Sequence, residues 1–217
     1  MKMMNNKVVV KGTVKSEARY SHEVMGEKFY EVLVGAKRAS GAENIIPILV
    51  SERCWDVNTD YSGKRVTVEG QYRSRRMDIE GRRKLILNVF AKNICMELDD
   101  EFEFDYNRIE LNGYICKQPV YRTIPSGREV CDVMLAVNRG FGKSDYIPCL
   151  FKDDSARYMA DKKVGEQFRV TGCIQSRKYP KVQGDVTEIC IAYEVLVSAL
   201  EPVTQKVFEQ ECLELSA

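Results

Sequence analysis

The stretch Val133-Met134-Leu135-Ala136-Val137-Asn138-Arg139-Gly140-Phe141-Gly142-Lys143-Ser144-Asp145-Tyr146-Ile147-Pro148-Cys149 decides how the rest of the chain is read. An alternating apolar run (Val133, Leu135, Val137) ends at Asn138-Arg139, a Gly-rich basic turn carries Phe141, and Asp145-Tyr146-Ile147 opens a second apolar run. Period-2 alternation on both sides of a turn predicts two strands joined by a loop, with an arginine and two aromatics at the mouth. Aromatics interleaved with cations suit a surface on which flat, negatively charged polymers lie.

Working outward, the stretch has a counterpart 101 residues earlier. Glu31 to Arg38 aligns with Asp132 to Arg139, and Ile46-Pro47-Ile48-Leu49 with Ile147-Pro148-Cys149-Leu150. Upstream, Val10-Lys11-Gly12-Thr13-Val14 aligns with Leu111-Asn112-Gly113-Tyr114-Ile115 at the same offset. One inserted residue later, Gly63 to Arg75 aligns with Gly165 to Arg177. Four blocks in order make two copies of one unit. The expected division is a first domain over 1–98, an acidic connector over 99–106, a second domain over 107–201 and a tail over 202–217, with an amphipathic helix from Val203 to Leu215.

Each copy reads as five strands. The first carries a glycine (Gly12, Gly113) that permits a bulge or bend. The second spans Phe29 to Lys37 and Val130 to Asn138, the third Ile45 to Val50 and Tyr146 to Phe151. Helical character follows at Glu52 to Val57 and Asp154 to Asp161, the latter with Ser155 as a candidate cap. A fourth strand and a charged hairpin lead to the fifth, Leu85 to Phe90 and Glu188 to Ala192. Five strands with a short helix between the third and fourth is the order of an OB-fold, so the expected class is all-β, two tandem five-stranded Greek-key barrels.

Composition narrows the function. With 44% apolar and 30% charged residues the chain is expected to fold as a globule. No apolar run approaches the roughly 18 residues that span a bilayer, and no apolar signal core is seen at the N-terminus, so a cytoplasmic or nucleoid-associated protein is expected. The net charge is +1, but residues 1–100 hold 18 Lys+Arg against 14 Asp+Glu and the rest 15 against 18. Any anion-binding surface therefore arises from local segregation of charge. Eight cysteines (Cys54, Cys95, Cys116, Cys131, Cys149, Cys173, Cys190, Cys212) form no Cys-x-x-Cys pair, and His22 is the single histidine. That pattern argues against zinc, and no cofactor is expected. No nucleophile–base set or phosphate-cradling Gly loop is visible, so an enzyme is not expected.

Four motifs of the second copy occur jointly and in order: Pro119-x-x-Arg122-x-x-Pro125-x-Gly127, Leu135-Ala136-Val137-Asn138-Arg139, Asp145-Tyr146-Ile147-Pro148-Cys149, and Gly172-Cys173-Ile174-Gln175-Ser176-Arg177-Lys178-Tyr179. In these the chain resembles the bacterial and phage single-stranded DNA-binding proteins, in particular tandem members of clostridial and phage type. The resemblance implies sequence-tolerant binding of single strands in replication, recombination or repair. It implies Phe141, Tyr146 and Tyr179 as stacking positions and Arg139, Arg177 and Lys178 as phosphate partners. Lys143, Lys152 and Lys181 are further candidate phosphate-binding residues of the second copy, by their charge. The resemblance also implies a homodimer, since the family generally assembles four barrels. Two departures stand out. Lys152-Asp153-Asp154 occupies the place of a further aromatic, and Glu214-Leu215-Ser216-Ala217 lacks the family's acidic tip, so recruitment of repair enzymes by that route is not expected.

The first copy carries a different kit. Opposite Phe141, Tyr146 and Tyr179 it has Ser40, Ile45 and Met77, so the stacking set is gone and the first domain reads as basic and aromatic-poor. Arg38 is kept, and eight basic residues crowd Lys64 to Lys84. Arg73 and Arg75 share a strand face, while Arg76, Arg82 and Arg83 gather at the hairpin, a candidate phosphate-tracking element. Two other readings stay open at this point. An RNA-binding OB protein differs only in reading the 2′-OH, and an assembly module with weakened nucleic-acid binding fits the aromatic-poor first copy.

Overall fold

The computed structural model describes residues 5–38, 40–79, 81–96, 104–183 and 186–203, without side-chain placement at 79, 82, 181–183, 186 and 188. The expected tail helix, most of the acidic connector, Cys212 and the side chains of Arg82 and Lys181 lie outside the described residues.

Two barrels follow one another. The first is built from β1 (Asn6–Val14), β2 (Arg19–Val24), β3 (Glu27–Lys37), β4 (Glu43–Ser51), β5 (Arg65–Ile79) and β6 (Arg82–Met96). The second has β7 (Tyr106–Ile115), β8 (Val120–Thr123), β9 (Glu129–Asn138), β10 (Ser144–Lys152), α1 (Asp154–Ala160), β11 (Gln167–Gln183) and β12 (Val186–Pro202). Strand β1 pairs with β5 along Val8 to Thr13 and with β3 at Thr13 and Val14, and β4 pairs in parallel with β6, which closes the barrel. Where β1 turns from one partner to the other stands Gly12, whose Cβ would meet the Gly35 carbonyl oxygen at 2.2 Å. Gly113 faces the Ala136 carbonyl oxygen in the same way at 2.9 Å. Alternation then aims Val8, Val10 and Val14 at the core with Val32, Val34, Ile46 and Ile48.

Both copies hold a strand the sequence conceals. β2 and β8 lie in what reads as turn-rich connection, because neither has a buried position to give alternation away. β2 is fixed by its turn: Met25 and Gly26 have φ of 51° and 79°, the double positive φ of a tight hairpin.

One expected helix is absent. Residues 52–57 of the first barrel run as successive turns. There Asp56 accepts the Asn58 N–H at 3.0 Å and the Thr59 hydroxyl at 2.6 Å, and Asp60 accepts the Ser62 N–H at 2.8 Å. Such Asx turns compete with helical bonding. Trp55, 4% exposed and edge-on to Tyr61 at 4.7 Å, contributes to the core from this segment as Ala156 and Met159 of α1 do in the second barrel. Ser155 does not cap α1 either. Asp153 holds the cap position, and Ser155 Oγ closes on the Lys152 backbone, accepting its N–H at 3.1 Å and donating to its carbonyl at 2.7 Å.

The barrels join edge to edge. β1 and β7 pair antiparallel with Val8 opposite Ile109, its own counterpart in the repeat. A pair of equivalent residues facing each other marks a local pseudo-two-fold axis, as in an isologous dimer interface. The result is one continuous sheet, β2-β3-β4-β6-β5-β1-β7-β11-β12-β10-β9-β8.

Candidate nucleic-acid interface

The long hairpin of each barrel leans across the other barrel. From β5, the Ser74 N–H donates to Asp145 Oδ1 at 2.9 Å, and the Tyr146 N–H donates to Ser74 Oγ at 2.7 Å. From β11, the Ser176 N–H donates to Asn44 Oδ1 at 3.2 Å, and the Ile45 N–H donates to Ser176 Oγ at 2.9 Å. These are the same bonds made twice by equivalent residues. Tyr72 deepens the junction: it is fully buried, and after burial itself the groups that push its hydroxyl upward are Tyr193, Cys149 and Glu194 of the second barrel.

This crossing redistributes the candidate residues. Tyr146 stands on the outer face of β10, 37% exposed, with the Arg76 guanidinium of the first barrel 5.3 Å from its ring centroid. Phe141 sits at the tip of the β9–β10 loop, fully exposed, with φ of 62° followed by Gly142 at 66°. The loop is closed by the Arg139 N–H donating to the Lys143 carbonyl at 2.8 Å. Tyr179 belongs elsewhere. It rides on the hairpin whose Ser176 is bonded to the first barrel, with Arg177 5.8 Å from its ring. The three aromatics thus divide between the β9–β10 hairpin mouth and the β11–β12 hairpin, whose Ser176 is bonded to the first barrel.

The cations divide too. Arg73 and Arg139 come together from different barrels, and with Lys143 they line a cleft of about 740 Å³ that also takes in Phe141 and Asp145. Arg38 turns inward instead, its Nε donating to Asn44 Oδ1 at 2.9 Å and its terminal nitrogen to the Ser176 carbonyl at 3.3 Å. Arg177 is exposed, with its Nε 3.9 Å from Glu194. Lys152 is half-buried and lines a separate groove beside Cys173. Lys178, Arg76 and Arg83 face solvent, and Arg75 is half-buried.

The first barrel, expected to be aromatic-poor, carries an aromatic cluster away from the positions that match Phe141, Tyr146 and Tyr179. The Arg73 guanidinium lies 3.8 Å over the Phe90 ring, Phe90 meets Phe29 at 5.9 Å, and Phe29 stacks on His22 at 5.2 Å and 15°. Phe90 is two residues beyond Asn88, the β6 partner of Arg73, the diagonal place where long side chains meet across antiparallel strands. Burial, and then the Arg75 charge, pull the His22 imidazole below its ordinary value.

Fold and topology define a tandem OB-fold protein whose barrels exchange hairpins about a pseudo-two-fold axis. Over residues 106–200 the chain matches the model of the Single-strand binding protein family. It is 36% identical over 96 residues to Single-stranded DNA-binding protein 1 of Staphylococcus aureus, covering 38% of this chain and 56% of that protein. Single-stranded DNA-binding protein A of Bacillus subtilis is 33% identical over 103 residues, 44% of this chain and 60% of the relative. The chain thus spans little more than half the length of these relatives. The wild-type single-stranded DNA binding protein from Thermus aquaticus superposes with a TM-score of 0.74 at 18% identity, covering 92% of this chain and 93% of that one, which shows the two-barrel fold. Among the described residues no helix is long and apolar enough to cross a membrane.

Proposed function

We propose that the protein binds single-stranded DNA without sequence preference during replication, recombination or repair, and that it acts as a binding protein and not as an enzyme. The observation that carries this reading is Tyr146: an outward aromatic on a barrel strand, flanked by a guanidinium from the other barrel. A ring beside a cation suits a base with its phosphate, since every base has a π face and stacking contributes about 1–3 kcal/mol without reading sequence. Phe141 and Tyr179 extend the stacking set. Arg139, Lys143, Arg73, Arg75, Arg76, Arg83, Arg177 and Lys178 supply the phosphate contacts, and Arg38 acts within the protein as part of the clamp. A cytoplasmic or nucleoid-associated location follows from that activity, and two chains pairing would assemble four barrels.

The test is a salt-titrated binding isotherm on oligo-dT, with duplex DNA and oligo-rU as competitors. Tight binding to oligo-dT that weakens as salt rises, in proportion to the phosphates neutralised, supports the reading. Equal affinity for duplex and single strand sinks it. Preference for oligo-rU moves the protein to the RNA-binding class.

A further inference from the structure

The two junctions between the barrels have the same backbone clamp but different chemistry. At the first, Arg73 of β5 meets Arg139, Lys143 and Phe141 of the β9–β10 loop around the open cleft. Counting by the repeat, the other junction has Gln175 for Arg73, Ser40 for Phe141 and Ala42 for Lys143. Its remaining cation, Arg38, is bonded to Asn44 and to the Ser176 carbonyl.

At the open junction the positive charge is left over. Asp145 is the carboxylate lining the cleft, and it is engaged: 1% exposed, it accepts the Ser74 N–H at 2.9 Å and lies 3.6 Å from Arg139. Arg73 gives one terminal nitrogen to Gln71 at 3.1 Å, while its buried Nε has no hydrogen-bond partner among the described residues. Its guanidinium lies over the Phe90 ring and cannot swing away to solvent without losing that contact. Burial, and then the Arg139 charge, pull its pKa down, while Asp145 pulls the other way. An anionic group entering the cleft relieves that repulsion and meets donors already in place.

We propose that this cleft is a crossing point, where a single strand passes from one barrel to the other with a phosphodiester between Arg73 and Arg139 and a base against Phe141, and that the chain has this crossing at one junction and not at its pseudo-symmetric counterpart. The inference rests on the reading of the protein as a single-strand binder and adds to it a path: one strand, one crossing, contacts from both barrels at once.

The experiment compares wild type, Arg73→Gln and Gln175→Ala on two dT oligonucleotides, one of about 30 nucleotides that reaches both barrels and one of about 8 that fits a single OB fold. Arg73→Gln installs the residue that the other junction carries, and its fold is checked by circular dichroism. The expected result is an affinity loss of about tenfold on the long oligonucleotide, with the salt slope smaller by about 0.7, and a lesser loss on the short one. Gln175→Ala leaves both isotherms unchanged. An Arg73→Gln isotherm matching wild type on the long oligonucleotide overturns the crossing, and an equal loss from Gln175→Ala overturns its one-sidedness. Absence of wild-type binding to either oligonucleotide overturns the reading of the whole protein, and the crossing with it.

Discussion

Ser74 and Asp145, from different barrels, are joined by a hydrogen bond of 2.9 Å from the Ser74 N–H, and Tyr146 N–H returns a bond to Ser74 Oγ. The equivalent pair, Ser176 and Asn44, makes the same contact with an amide oxygen in place of a carboxylate. The clamp needs an acceptor at this position, and the charge of Asp145 is an addition.

Asp145→Asn is therefore expected to keep the melting temperature within about 3 °C of wild type, whereas Asp145→Ala leaves buried donors unpaired and costs about 1–3 kcal/mol. Because the Asn variant also removes a negative charge from the cleft with Arg73 and Arg139, it should bind oligo-dT more tightly than wild type. Calorimetry and a binding isotherm check both halves; a loss of stability from Asn as large as from Ala would show that the charge holds the clamp.

Removing an aromatic platform should reduce affinity without altering the fold. Tyr146→Ala and Phe141→Ala are each expected to weaken binding to oligo-dT by about 1–3 kcal/mol, the usual worth of one stacked base. Fluorescence anisotropy with a labelled oligonucleotide measures the loss. Since the sole tryptophan, Trp55, is buried, its intrinsic fluorescence should change little on binding.

Glu194 gives a pH signature. Burial pushes its carboxyl upward, Arg177 pulls the other way, and burial prevails. A carboxyl with a raised pKa in the folded state makes that state the better proton binder, so its contribution to stability is fully present below the ordinary value of 4.5 and is lost as pH rises through the folded pKa. Glu194→Gln is expected to melt higher than wild type at pH 7, with the gap closing toward pH ~4. A gap that widens on acidification contradicts this assignment.

The cysteines should divide by burial. Burial pushes the Cys131 thiol up to about 11 and the Cys149 thiol further still. Cys54 and Cys95 are exposed. Brief alkylation of the native protein should modify the exposed Cys54 and Cys95 and spare the buried Cys131 and Cys149 until the protein is unfolded. Mass spectrometry of the digested protein reads the pattern.

Particular residues show how far the sequence could be read. Val10-Lys11-Gly12 and Leu111-Asn112-Gly113 exposed the repeat, and strand alternation exposed the barrel, because both are local patterns of side-chain period. β2 and β8 stayed hidden because strands without a buried position have no apolar face to alternate with. The helix expected at Glu52 to Val57 failed because Asp56 and Asp60 bind their own neighbours' backbone, a competition that composition does not rank.

The sequence by itself determined two OB barrels and which side chains each carries, since the apolar period that buries a strand face is written locally. Only the tertiary structure decided where those side chains act. Pairing of β1 with β7 about Val8 and Ile109 swings each long hairpin over the other barrel. It delivers Arg76 to Tyr146, brings Arg73 beside Arg139 and Phe141, and ties the strand that carries Tyr179 to the opposite barrel through Ser176. Those meetings depend on long-range backbone pairing, which no window of sequence contains.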